Sequence, residues 1–289
     1  MTDYADIEGS IWLDGKMIPW RDAKVHFLTH GLQYAGTVFE GERAYGGRIF
    51  KLREHTDRLI EGARIMGYAI PFTAAQIDQA CKDVLAANGL ADGYLRPAAW
   101  RGSDKLGLSP AGASVHLAIA AWAWPSYFSP EQKMKGVRLT HSEWRRPAPD
   151  TAPVRAKASG LYQICTIAKQ KAEEQGFDDA LMLDYRGFLA EATGANLFLV
   201  IDGKLHTPIA DCFLNGITRR TVIDLARAAG LEVVERHMDP SELALASEAF
   251  LTGTAAEITP IGEIGEHRYT PGAVCSLIID AYHRVTHEG

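Results

Sequence analysis

The chain has 289 residues, 47% hydrophobic and 23% charged, the balance of an ordinary soluble globular protein with room for one large domain or two smaller ones. A net charge of −6 without a basic block or stripe argues against nucleic acid as the main partner. Cys81, Cys165, Cys212 and Cys275 are far apart with no C-x-x-C pair, which excludes a zinc knuckle and a disulfide framework and suits a reducing cytoplasm.

The opening "MTDYADIEGS" is acidic and has no apolar core of a signal peptide. "SIWLDGKMIP" has two apolar arms around Asp14-Gly15, and "TVFEGERAYGGRIFKL" repeats the pattern around Gly46-Gly47, so both read as hairpins. A helix is expected from about Glu54 to Met66, with Leu59, Ala63 and Met66 on one face. Thr73 and Gln76 form a capping-box signature for the next helix, which Gly89 ends. "YLRPAAW" and "SVHLAIAAW" read as strands, and the latter run is too short to span a bilayer. Prolines and polar residues cluster in "WPSYFSPEQK", which marks a link between domains. The expected division is therefore 1–123, a linker at 124–134, and 135–289.

In the second part "GVRLTHS" is a strand, and the proline-rich "RRPAPDTAP" cannot be helical. A helix runs from about Leu161 to Gln175, stopped by Gly176. Strands "ALMLD", "FLAEA" and "NLFLVI" turn at Arg186-Gly187 and Asp202-Gly203. "GITRRTVIDLARAAG" is an amphipathic helix between two glycines, "AFLTGTAAEITP" is strand, tight turn, strand, and the tail from Ala273 to His287 is helical.

Chemistry gathers at a few of these places. Lys157, among alanines in "VRAKASGLYQ", sits where small apolar neighbours would favour a neutral amine, a nucleophile toward carbonyls; the bland alternative is a snorkelling lysine. Glu191 lies in an apolar strand, where a carboxylate must be paired, either with a protonated ring nitrogen or with an arginine. Gly216-Ile217-Thr218 opens a helix and Gly253-Thr254-Ala255 occupies a turn, two backbone devices that receive an anion. Arg53 in "KLREH" would add a fork of donors, unless Glu54 or Asp57 takes it. Tyr94 and Arg96, two apart on one strand face, suit a carboxylate. Phe39, Tyr34 and Trp124 are candidates for an apolar wall. Walker, nucleophile-elbow and dinucleotide fingerprints are absent, and His26 and His30 lack further ligands for a metal.

In order, "HGLQYAGTVFEGERAY", "FKLREHTDRL", "YLRP", "AKASGLY", "AEATGANLF", "LNGITRR" and "LTGTAAEITP" resemble the fold-type IV pyridoxal-phosphate aminotransferases, most closely the branched-chain amino-acid aminotransferases. The resemblance implies an α/β (α+β) fold with a small N-terminal α/β domain and a larger C-terminal pseudo-barrel domain, and assembly at least as dimers. It implies pyridoxal 5'-phosphate with Lys157 as the Schiff-base lysine and proton-moving base, Glu191 at the pyridine nitrogen and Tyr162 at the ring hydroxyl. Arg53, Ile217, Thr218 and Thr254 would hold the phosphate, with Asn196, Leu214 and Gly216 also around the cofactor. Tyr94, Thr254 and Ala255 would take the substrate α-carboxylate, and Arg96 the side-chain carboxylate of glutamate. Tyr34, Phe39, Gly41, Arg43, Trp124 and Leu108 would surround the side chain, Leu108 from a second subunit. The implied reaction is ping-pong transamination of leucine, isoleucine and valine with 2-oxoglutarate, without a metal. A D-amino-acid or (R)-amine transaminase, an aminodeoxychorismate lyase and a non-catalytic pyridoxal-phosphate-binding protein are the alternatives. The sequence departs from the family's habit at Ala192, Thr193 and Ala195, where the groups near the ring change.

Overall fold

The computed structural model describes residues 3–124 and 135–288, so most of the expected linker lies outside the described residues. The chain divides into two compact units, Met1–Pro125 with Ala156–Gly160, and Ser126–Arg155 with Leu161–Gly289. A division by residue number alone leaves the short Lys157 segment with the second half, but its backbone pairs with the first. Val38 bridges Ala158, Phe39 N–H donates to Lys157 C=O at 3.0 Å, and Ser159 N–H donates to Thr37 C=O at 2.8 Å.

In the first unit the sheet order is β2-β1-β7-β6-β4-β5, with β3 on β6. These are β1 Ser10–Leu13, β2 Lys16–Pro19, β3 Val38–Phe39, β4 Glu42–Tyr45, β5 Arg48–Ile49, β6 Gly93–Arg101 and β7 Val115–Trp122. Asp14 and Gly15 take φ of 47° and 90°, as a two-residue hairpin between right-twisted strands requires. The second hairpin joins β4 to β5 through Gly46 and Gly47, at φ 56° and 81°, while the upstream β3, beyond Glu40 and Gly41, pairs with β6 instead. Along β6 and β7 burial alternates: Leu95, Ala99, Leu117 and Ile119 face the core, leaving Tyr94 and Arg96 on the other face. Each fully buried Leu or Ile contributes about 1.5–3 kcal/mol.

The short helix α1, His30–Gln33, precedes β3, and α2, Leu52–Ile65, and α3, Ala74–Ala87, pack on this core through Leu59, Ala63, Ile77, Cys81 and Val84. The Thr73–Gln76 capping box is fully formed, and Gly89, at φ 65°, follows the last turn of α3.

The second unit is built on β8 Val137–His141, β9 Asp179–Leu183, β10 Leu189–Ala192, β11 Asn196–Ile201, β12 Lys204–Pro208, β13 Val233–Arg236, β14 Glu248–Gly253, β15 Glu257–Ile264 and β16 His267–Arg268. Its sheet runs β10-β9-β8-β15-β14-β11-β12-β13, and β10 also pairs with β11. Pairing therefore closes a ring through β10, β9, β8, β15, β14 and β11, the strand arrangement of a barrel. The pair that closes it is Glu191 opposite Asn196. Leu139, Leu181, Leu197, Leu199 and Ile261 are fully buried in its core. Three helices accompany the ring: α4 Gln163–Glu174, α5 Ile217–Ala228 and α6 Ala273–His287. The parallel strand β13, beside β12, has no counterpart in the pattern read from sequence. Among the described residues no helix is long and apolar enough to cross a membrane.

Candidate active site

In the first unit Lys157 is half-buried, its Nζ 4.8 Å from the centre of the Phe39 ring. Arg96 lies 4.9 Å from the centre of the same ring, so Phe39 packs against both a guanidinium and the lysine amine. Arg96 Nη2 donates to Tyr94 Oη at 3.4 Å, as two residues on one strand face can. Tyr94 packs on Trp124 and Trp122 with ring centres 4.9 and 5.2 Å away. Gly41 faces the phenol so closely that a Cβ there would lie 1.9 Å from Tyr94 Oη; only glycine admits the hydroxyl at that point. Arg43, buried and in register with Tyr94, lays its guanidinium over Tyr45. The structure thus brings together Lys157, Phe39, Gly41, Tyr94, Arg96 and Trp124.

Three expected residues are elsewhere. Arg53 points outward, half exposed, and its Nη2 pairs with Asp78 at 2.6 Å, tying α2 to α3. Its expected partners Glu54 and Asp57 do not take it. Leu108 is 79% exposed, and the exposed Tyr34 lies tilted against the buried His30 ring.

The cation that sequence reading missed is Arg58. It turns inward from the same helix, and its Nε and Nη2 donate to the two oxygens of Glu40 at 2.6 and 2.7 Å. His55 Nδ1 is 2.8 Å from Glu40 Oε2. Burial alone would raise the Glu40 carboxyl, but the Arg58 fork and His55 override it and hold the group far below the usual range. His55 is pushed toward its neutral form chiefly by burial, and the nearby cations Arg58 and Lys157 push the same way. The available signal for Arg58 was position: five residues from Arg53, it lies roughly 140° around a helix of 3.6 residues per turn.

In the second unit Glu191 is 8% exposed at the ring-closing pair. Asn196 Nδ2 donates to Glu191 Oε2 at 3.0 Å and to the Leu214 carbonyl at 3.1 Å. Arg146 Nε is 3.3 Å from Glu191 Oε1. The arginine partner, offered by sequence as an alternative for Glu191, is therefore present, and it is itself a residue the sequence did not single out.

Gly216 caps α5 with no side-chain bond, and a Cβ on it would lie 2.3 Å from Asn196 Oδ1. Ile217 and Thr218, the first buried residues of the helix, therefore sit where backbone N–H groups lack intrahelical acceptors. Thr254 and Ala255 lie in the turn between β14 and β15. Thr252, paired with Asn196 across the ladder, buries an Oγ1 that has no hydrogen-bond partner among the described residues. A cavity of about 420 Å³ in this unit is lined by Tyr162, Lys169, Glu173, Asp179, Thr193 and Ala255 among others, whereas Glu191, Asn196, Thr252 and Gly216 are not in its lining.

Asp184, Asp211 and Cys212 bring metal-type ligand atoms together. Arg186 Nη2 already spans both carboxylates, at 2.7 and 2.9 Å, so the group is a structural ion-pair cluster.

The second unit thus holds a buried carboxylate aimed by an amide and an uncapped helix start, and the first unit a lysine beside an aromatic face. Residues 37–264 match the sequence profile described as amino-transferase class IV, and the chain belongs to that family. It is 42% identical over 272 residues to a branched-chain-amino-acid aminotransferase of Pseudomonas aeruginosa, covering 93% of this chain and 89% of that protein. It is 39% identical over 272 residues to the enzyme of the same name from Escherichia coli K12, covering 90% and 88%. Among solved structures, the branched-chain amino acid aminotransferase of Thermobaculum terrenum in its PLP form superposes with a TM-score of 0.89 at 34% identity, over 96% of this chain and 94% of that one.

Proposed function

We propose that this chain transaminates branched-chain L-amino acids with 2-oxoglutarate, using pyridoxal 5'-phosphate. The single observation that carries the reading is the buried Glu191 at the closure of the ring, oriented by Asn196 and charge-paired by Arg146, in a chain so widely similar to branched-chain aminotransferases. A carboxylate maintained there at the expense of its hydration suits a protonated ring nitrogen.

When bound, the cofactor supplies an aldehyde that joins the substrate amine and a ring that accepts electrons from Cα. Lys157 would supply the amine that holds this aldehyde, and the same Nζ would serve as the base for the substrate Cα proton. Glu191 keeps a proton at the ring nitrogen, and Tyr162 hydrogen-bonds the ring hydroxyl. The α5 start at Gly216, Ile217 and Thr218, with Thr254, holds the phosphate. Arg58, which turns inward to Glu40 where Arg53 turns outward to Asp78, would stand beside Arg53 as a candidate side-chain cation for that anion. Asn196 and Leu214 set the bed of the ring. Tyr94 and the turn at Thr254 and Ala255 bind the α-carboxylate. Arg96, held against Phe39, meets the second carboxylate of glutamate, while Phe39 and Trp124 receive aliphatic side chains. One such pocket serves both substrates because Arg96 combines a charged fork with a planar face that packs on an aromatic ring.

The four cysteines are free and buried, in keeping with a reducing cytoplasm. A homodimer, with Leu108 contributed across the interface, fits the exposure of that side chain.

The deciding experiment is a half-reaction on the pyridoxal-loaded protein with L-leucine and no acceptor, followed by the visible band of the cofactor, with D-alanine and an (R)-amine in parallel. Bleaching by L-leucine that 2-oxoglutarate reverses is the expected outcome. Bleaching by D-alanine or the amine alone would reassign the substrate class.

A further inference from the structure

We propose that Arg146 is a positioning residue, which keeps Glu191 ionised and fixed toward the cofactor ring nitrogen. The inference rests on the reading of the site above and goes beyond it, because Arg146 touches neither cofactor nor substrate in that reading.

Glu191 is so buried that, without a cation nearby, its neutral form would be favoured, and a neutral carboxyl cannot hold a protonated pyridine by charge. Arg146 is 5% exposed and supplies that cation at 3.3 Å.

The contact is one of charge rather than of a directed bond, since among the described residues the Nε–H has no hydrogen-bond acceptor. It therefore favours the anion without taking a lone pair of Oε1 head-on. Asn196 meanwhile binds the other oxygen, Oε2, so the two neighbours divide the tasks of charge and orientation.

Arg146 is itself fixed in place. Its N–H donates to the Leu183 carbonyl at 2.8 Å, its backbone bridges Asp184, and Nη1 donates to Cys165 Sγ at 3.1 Å. The guanidinium is thus braced between the end of β9 and α4. Burial works against its charge, but Glu191 foremost, with Cys165, Tyr162 and Cys212, more than restores it. A lysine would deliver the same charge with a less constrained head.

The test loads wild type, Arg146→Lys, Arg146→Gln, Arg146→Met and Glu191→Gln with pyridoxal phosphate labelled with 15N in the ring. At one neutral pH the ring resonance reports whether that nitrogen is protonated, and a separate titration gives cofactor affinity. The protonated position is expected for wild type and Arg146→Lys. The neutral position is expected for Arg146→Gln, Arg146→Met and Glu191→Gln, with cofactor affinity down about tenfold to a hundredfold in Arg146→Gln and Arg146→Met. Arg146→Gln keeps a donor for Cys165 and replaces Arg146→Met if the latter does not fold. A protonated ring and wild-type affinity in Arg146→Gln would overturn the proposal and leave Arg146 a structural ion-pair partner. Wild-type protein that binds no labelled cofactor would overturn the underlying reading as well, so the two failures are told apart by the wild-type spectrum.

Discussion

Ala35 holds a φ of 52° without being glycine. Its carbonyl accepts from Ser159 Oγ at 2.9 Å and from Gly160 N–H at 3.2 Å, so the strained turn is maintained by bonds to the lysine-bearing segment. The left-handed region costs a Cβ-bearing residue roughly 1–2 kcal/mol, which Ala35→Gly relieves at the expense of some unfolded-state entropy. Ala35→Gly is expected to raise stability by a few tenths to about 1 kcal/mol, read as a rise of the thermal midpoint by up to about 4 °C; a lower midpoint would contradict the strain argument. Glu42 presents the opposite case, a buried charge with poor support. It is 1% exposed on β4, and beyond the weak Cys81 thiol its oxygens have no hydrogen-bond partner among the described residues. Burial first, then the charges of Glu40 and Asp78, push its carboxyl well above the usual range, against smaller help from Cys81 and Arg58. With the folded value raised, its contribution is fully favourable below the unfolded value near 4.5 and is lost as pH rises through the folded one. Glu42→Gln removes that titration. The difference in urea stability, variant minus wild type, is expected to grow from pH 4.5 upward by about 1–3 kcal/mol; a difference independent of pH would exclude Glu42 as its source.

At the scale of the element, the start of α5 depends on the absence of a side chain. Gly216 has an ordinary extended backbone, φ −60° and ψ 143°, so its requirement is space, because a Cβ would collide with Asn196 Oδ1. Asn196 also holds Glu191, so a shift of its amide at the helix start would reach that carboxylate. Gly216→Ala is therefore expected to weaken pyridoxal phosphate binding by at least about tenfold, corresponding to about 1.4 kcal/mol, while the apoprotein melts nearly as wild type; unchanged affinity would show that the amide yields freely. Elements with local causes were legible in the sequence: the Asp14-Gly15 hairpin, the Thr73 capping box, and the helix opened by Gly216. Elements set by distant partners were not. The Lys157 segment joins the first unit through pairing with residues more than a hundred positions away, and β13 exists by parallel pairing with β12; neither leaves a periodic mark. Arg58 went unremarked in the sequence for a related reason. Which arginine turns inward is decided by Glu40 and Asp78, on other elements, and not by the local string "REHTDR".

For the molecule as a whole, the unexplained expense lies on the outside of the first unit. Phe27 and Leu108 are 74% and 79% exposed, and Val25, Leu32, Tyr34 and Leu106 also reach water. They come from the stretch around α1 and from the loop between β6 and β7. His30 N–H joins the two by donating to the Gly102 carbonyl at 2.9 Å, while Gly31 packs on the Trp100 side chain. Apolar side chains gathered in this way mark a surface intended for another protein surface, and for a chain that encodes its own partner a two-fold self-contact is the commonest solution. The expected species is thus a homodimer or a larger homo-oligomer, measurable by light scattering. Phe27→Asp with Leu108→Asp places two charges on this face without touching the core of either unit, and is expected to shift the mass toward one chain. If Leu108 also completes the partner's side-chain pocket, the same variant raises KM for leucine more than for glutamate, because only the aliphatic substrate depends on that wall. A wild-type mass of one chain, or a variant whose mass does not change, would remove the interface and with it the role assigned to Leu108.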